Sequence, residues 1–108
     1  MRKIKVGLLT MSDGREHLNR DYRPITMKYQ REIISALEDS GRYEVVAGSG
    51  PIASNDMARQ EALRLRQENV DVTVINYSIW CYPQFTAVAT AIAPGPFLLF
   101  CNLLCQIC

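Results

Sequence analysis

Two stretches of the chain hold residue types able to grip a small polar ligand. One is Ser12-Asp13-Gly14-Arg15-Glu16-His17, and the other runs Asn76-Tyr-Ser-Ile-Trp-Cys-Tyr-Pro-Gln-Phe85. Arg15 offers a planar fork of donors that fits a carboxylate or a set of hydroxyls. Trp80, the only tryptophan among 108 residues, offers a flat apolar wall suited to one face of a sugar ring, the hydroxyls being left to polar neighbours. Asp13, Tyr82 and Gln84 are such neighbours in sequence. Each feature also has a plainer reading. Arg15 can be a solvated surface arginine and Trp80 a core filler. The Ser-Asp-Gly stretch can be a polar turn, and His17 can be an acid or base or simply an exposed side chain.

More demanding chemistry finds little support. The first stretch lacks both G-x-G-x-x-G and G-x-x-x-x-G-K-[ST], which argues against a dinucleotide or P-loop site. "SDGRE" could still cradle a phosphate through backbone N–H groups, as flavin mononucleotide sites do. A stand-alone flavodoxin-like module for flavin or another small ligand is therefore the second reading. Cys81 reads as a small buried hydrophobe, with no base evident beside it. Cys101, Cys105 and Cys108 form C-x3-C-x2-C, but no fourth ligand is evident and His17 is the only histidine; structural zinc normally takes four N or S ligands. Glu32, Glu38, Glu61 and Glu68 fall in helical patterns and read as solvated faces. No carboxylate pair has catalytic spacing, and no metal or other cofactor is expected in this chain itself.

Composition narrows the partners. Hydrophobic residues make up 48% and charged residues 21%, with a formal net charge of +1, as in an ordinary globular domain. Acidic and basic residues alternate without blocks, so nothing steers the chain toward nucleic acid or an anionic membrane. No apolar run approaches the roughly 20 residues of a bilayer span. "MRKIKVGLLTM" does not read as a secretory signal. A cytoplasmic location is the expectation, with the thiols reduced.

The elements that must position these residues follow from hydrophobic periodicity. "KIKVGLLTM" (3–11), "YEVVAGSG" (43–50), "VDVTVINY" (70–77) and "FLLFCN" (97–102) read as buried strands. A polar connection spans 12–23. Pro24 then opens a helix, with Ile25, Tyr29, Ile33, Ile34 and Leu37 at helical spacing and Gly41 at its end. Ser54, Asn55 or Asp56 caps a second helix with Ala58, Ala62 and Leu65 on one face. Phe85, Val88, Ala89 and Ile92 mark a third. Strands alternating with helices predict a doubly wound α/β fold, flavodoxin-like or Rossmann-like. It has a parallel sheet of about four strands with helices on both faces. Residues 1–102 form the domain, and 103–108 an apolar, cysteine-rich tail. In such sheets the ligand crevice lies beyond the carboxyl ends of the strands. The rule selects Asp13, Arg15, His17 and Asn19 after the first strand and Ser49 and Ser54 after the second. After the third it selects Ser78, Trp80, Tyr82 and Gln84. The fourth strand is left as an edge followed by "LLCQIC", and self-association through that edge and tail is a third reading.

"KVGLLTMSDGREHLN", "NYSIWCYPQFT" and "GPFLLFCN" together make residues 3–102 resemble the amino-terminal domain of the L-fucose isomerase and L-arabinose isomerase superfamily. The resemblance implies aldose–ketose interconversion by a manganese-dependent or other divalent-metal enzyme, with a carboxylate pair moving a proton through an enediol. Those ligands and carboxylates belong to later domains and have no counterpart here. The implied part of this chain is substrate recognition, with Arg15 matching the family's sugar-contacting arginine and Trp80 its stacking aromatic. The first domain reaches over a neighbouring subunit's active site, so a homo-oligomer through the full-length chain is implied. The family's chains are several times longer, and "LLCQIC" replaces the polar, proline-containing loop expected after "FCN". The chain thus reads as a truncated piece expected to be inactive alone.

Overall fold

The computed structural model describes residues 3–12, 15–48, 50–77 and 83–101. They alternate in the order β1 (Ile4–Met11), α1 (Glu16–Asp39), β2 (Tyr43–Ala47), α2 (Asn55–Gln67), β3 (Val72–Tyr77), α3 (Pro83–Ile92) and β4 (Phe97–Cys101). The strands pair in parallel in the order β2-β1-β3-β4, which is the doubly wound fold predicted from the pattern. From β1 the chain steps outward to β2, then crosses back to β3 and β4. Right-handed crossovers in opposite directions put α1 on one face and α2 and α3 on the other. The point where the strand order reverses lies between β1 and β3.

The unbroken apolar strands reflect this double cover. In β1, Val6 and Leu8 pack toward Ile33, Ile34 and Leu37 of α1, while Leu9 and Met11 pack toward Ala58 and Ala62 of α2 and Phe85 of α3. In β3 the same alternation gives Val74 to the α1 face and Ile75 to the other. Ser54 caps α2, its Oγ accepting the Met57 N–H at 3.1 Å. Ala58, Ala62 and Leu65 are fully buried on the predicted face. Gly41, at φ 76°, turns the chain out of α1, a conformation that costs a side chain energy and glycine nothing.

Two local readings change. The first helix begins at Glu16, not at Pro24, so most of the predicted polar connection is helical and Pro24 sits inside α1. Proline cannot donate to the carbonyl four residues back. That leaves the Arg20 carbonyl without its helical donor; separately, the Thr26 hydroxyl donates to the Arg23 carbonyl at 3.0 Å. The buried line of the helix also differs from the apolar one read from the sequence. Thr26 and Gln30 are buried, whereas Ile25 is 39% exposed. The second strand stops at Ala47 rather than at residue 50. Gly48 still donates its N–H to the Leu8 carbonyl at 3.0 Å, and the chain meets β1 again at Ile52, whose N–H donates to the Thr10 carbonyl and whose carbonyl accepts the Ser12 N–H, both at 2.8 Å.

One helix covers the α1 face where two cover the opposite face. A helix is about 10 Å across and strands lie about 4.8 Å apart. Four strands therefore need two helices per face, and among the described residues the β4 side of the α1 face has none. A groove of about 360 Å³ runs there between Tyr29, Ile33 and Leu37 of α1 and Val74, Leu98 and Phe100 of the sheet.

Candidate functional site

The carboxyl ends of β1 and β3 are neighbours, with Thr10 beside Asn76 and Met11 beside Tyr77. Each strand leads to a helix start. The chain leaving β1 reaches Arg15, the N-terminal flanking residue of α1, in extended conformation at φ −79° and ψ 125°. Arg15 is exposed. The chain leaving β3 reaches α3 at Pro83, and Gln84 is exposed in its first turn. Arg15 and Gln84 thus head helices that spring from adjacent strand tips. The positive end of the α1 dipole adds to the arginine's charge there and favours electron-rich oxygen.

Of the other residues selected from sequence, Asp13, Trp80 and Tyr82 lie outside the described residues, as do Ser49 and Ser78. His17 is exposed in the first turn of α1. The Ser54 hydroxyl caps α2.

Below the tips the α1 interface turns polar. The Thr10 hydroxyl donates to Gln30 Oε1 at 2.6 Å, and Gln30 Nε2 donates to the Gly48 carbonyl at 3.4 Å. Asn76, next to Thr10, is fully buried, and neither its amide nitrogen nor its amide oxygen has a hydrogen-bond partner among the described residues. On the other face the Tyr77 and Thr86 hydroxyls are hydrogen-bonded, tying the tip of β3 to the first turns of α3. Arg23 lies on the same side of α1 as Thr26 and Gln30. A Cβ placed on Gly50 would sit 3.0 Å from Arg23 Nη2, so the guanidinium rests against that glycine and brings a second cation to the carboxyl end.

Arg23 and Asn76 were not among the sequence candidates. The helical period places 23, 26 and 30 in line once the helix starts at Glu16, but reading Pro24 as a helix start hid it. Asn76 carried a signal in plain sight, a carboxamide inside the apolar run "VTVINY".

The groove beside β4 is a poor home for a sugar, because Glu32 is the only charged side chain lining it and each buried hydroxyl needs a partner. Among the described residues no three His, Cys, Asp or Glu side chains gather to hold a metal ion. Among them, too, no helix is long and apolar enough to cross a membrane.

A four-stranded parallel sheet wound on both faces by helices defines the class as doubly wound α/β. Comparison with known families narrows this further. The family model for the first N-terminal domain of L-fucose isomerase matches residues 3–106. The chain belongs to that family, as the resemblance read from its sequence implied, and is a sugar isomerase domain. No curated protein and no solved structure matches the chain.

Proposed function

We propose that this domain supplies substrate-recognition groups to a sugar ketol-isomerase whose active site is completed by later domains or a neighbouring subunit. The family match over residues 3–106 carries the proposal. It is supported by Arg15 and Gln84 heading helices that leave adjacent strand tips, at the end of the sheet where such folds hold ligands. Arg15 takes sugar hydroxyls through its guanidinium, and Trp80, on the segment between β3 and α3, lies against the apolar face of the ring. Asp13, Tyr82 and Gln84 take further hydroxyls.

Aldose–ketose interconversion moves a proton between adjacent carbons, and a divalent ion such as manganese stabilises the enediolate in such chemistry. The described residues of this domain do not make up a site for that ion. Its own part is to bind and orient, which counts in the rate because misplacing a reacting centre by about 1 Å can cost about a hundredfold.

The test is Arg15→Ala and Trp80→Ala in an isomerase carrying this domain at full length. Loss of a charged hydrogen bond of about 1.5–3 kcal/mol lowers kcat/KM for the sugar about tenfold to a hundredfold in Arg15→Ala, with melting unchanged. An unaltered kcat/KM would remove Arg15 from the site. If Trp80→Ala melts far lower while its folded molecules bind sugar as before, Trp80 belongs to the core instead.

A further inference from the structure

Helix α1 is longer than the sheet beneath it needs. It has 24 residues where α2 has 13 and α3 has 10. The Thr10–Gln30 hydrogen bond sets Gln30 level with the carboxyl end of β1, which has only Met11 beyond Thr10. From Gln30 back to Glu16 the helix runs on for about 21 Å, at about 1.5 Å per residue. Burial stops where the sheet does. Thr26 and Gln30 are buried, whereas every described side chain from Arg15 to Ile25 is exposed. The first turns of α1 therefore project from the domain as an arm, with Arg15 at its tip.

Little in the arm itself favours the helix. Most helical stability in proteins comes from packing an apolar face, and exposed turns gain almost nothing per residue. Pro24 further deprives the Arg20 carbonyl of its donor. Near the base of the arm, Arg23 rests against Gly50. Proline is also well suited to the first position of a helix, because its φ is already helical and its missing N–H is no loss there. The sequence thus holds two starts for α1, Glu16 and Pro24, and the structure shows the longer form.

We propose that residues 16–23 switch between these two forms, and that a sugar engaging Arg15 pulls the equilibrium to the long one. The inference rests on the recognition role proposed above for Arg15. Both forms keep the bonds from the Thr26 hydroxyl to the Arg23 carbonyl and from Thr10 to Gln30, so the domain itself does not change. What changes is the place of Arg15, which the long helix fixes and the short one releases. A ligand shifts such an equilibrium only by binding one form better. A sugar held by a fixed Arg15 does so, and the population of the short form shows up as weaker apparent binding. Ordering of a short segment by its ligand is a common way to complete a site.

Amide exchange on the 108-residue chain tests the arm without sugar. The N–H groups of residues 20–23 donate within the arm, and they are expected to exchange about a hundredfold faster than those of 30–37. Pro24→Ala restores the donor and should slow exchange at 20–23 about tenfold or more. In an isomerase carrying this domain at full length, Pro24→Ala should lower KM for the sugar about threefold or more with kcat unchanged. Asp21→Gly, which loosens an exposed turn of the arm, should raise KM in the same way. Amides 20–23 as protected as 30–37 would show one rigid helix and overturn the proposal. So would a folded Pro24→Ala chain whose arm exchanges as the parent's does, or an unchanged KM in Pro24→Ala where Arg15→Ala still lowers kcat/KM. An unaltered kcat/KM in Arg15→Ala would instead overturn the recognition role, and with it the sugar's hold on the arm.

Discussion

Replacing Asn76 by leucine should make the protein more stable. Asn76 is fully exposed to the consequences of burial, with no solvent-accessible surface and no hydrogen-bond partner for either amide atom among the described residues. A buried polar group without a partner costs about 1–3 kcal/mol. Leucine has the same number and branching of side-chain heavy atoms, and its neighbours on that face include Leu8, Val74 and the ring of Phe100. Its larger methyls cost part of the gain, and the expected net is about 1–2 kcal/mol. For a domain of this size about 4 °C of melting temperature accompanies each kcal/mol, so Tm should rise by about 4–8 °C. Asn76→Asp is the companion, since a lone buried carboxylate should lower Tm by several degrees. Thermal unfolding followed by circular dichroism reads both. If Asn76→Leu melts below the parent, the amide is hydrogen-bonded in solution and the argument from its isolation fails.

Two further substitutions test the packing beneath the site. A Cβ on Gly7 would lie 2.7 Å from Leu65 Cδ1 and 3.2 Å from Val70 Cγ2, so Gly7→Ala forces the α2 face outward. Overpacking of about 1–3 kcal/mol exceeds the roughly 0.5–1 kcal/mol gained from a stiffer chain. Urea denaturation should therefore show a lower midpoint, and an unchanged midpoint would mean that Leu65 moves aside freely. Tyr77→Phe removes the hydroxyl that meets Thr86 and should lower stability by about 0.5–1.5 kcal/mol; no change in Tm would show that this contact holds nothing.

The fold was legible because its strands are simple. Each is a short apolar run bounded by turn residues, and helical stretches separate them, a pattern that admits few arrangements. The site was legible only in outline. The rule that ligands gather at carboxyl ends selected Arg15 and Gln84 without knowledge of strand order. The pairing of β1 with β3, which makes their tips neighbours, depends on long-range contacts that no local pattern encodes. Pro24 misled for a definite reason. Proline at a helix start is common and proline inside one is costly, and here the cost is borne within a helix of 24 residues.

Polarity along α1 shows how the domain divides its work. From its end toward its start, the sheet-facing line reads Leu37, Ile33, Gln30, Thr26, Arg23. The opposing strands change in the same direction, through Val6, Leu8 and Thr10 in β1 and Val72, Val74 and Asn76 in β3. A helix packed on a sheet solely for stability would stay apolar throughout, because polar pairs such as Thr10 and Gln30 return about 1 kcal/mol each and Asn76, without a partner among the described residues, returns less than nothing. Three elements therefore give up apolar side chains at the same end, and it is the end where adjacent strand tips lead to Arg15 and Gln84. The strand β4 shows the reverse, apolar from Phe97 to Phe100 and exposed throughout. The polar pattern is the one that fits the sugar recognition proposed above.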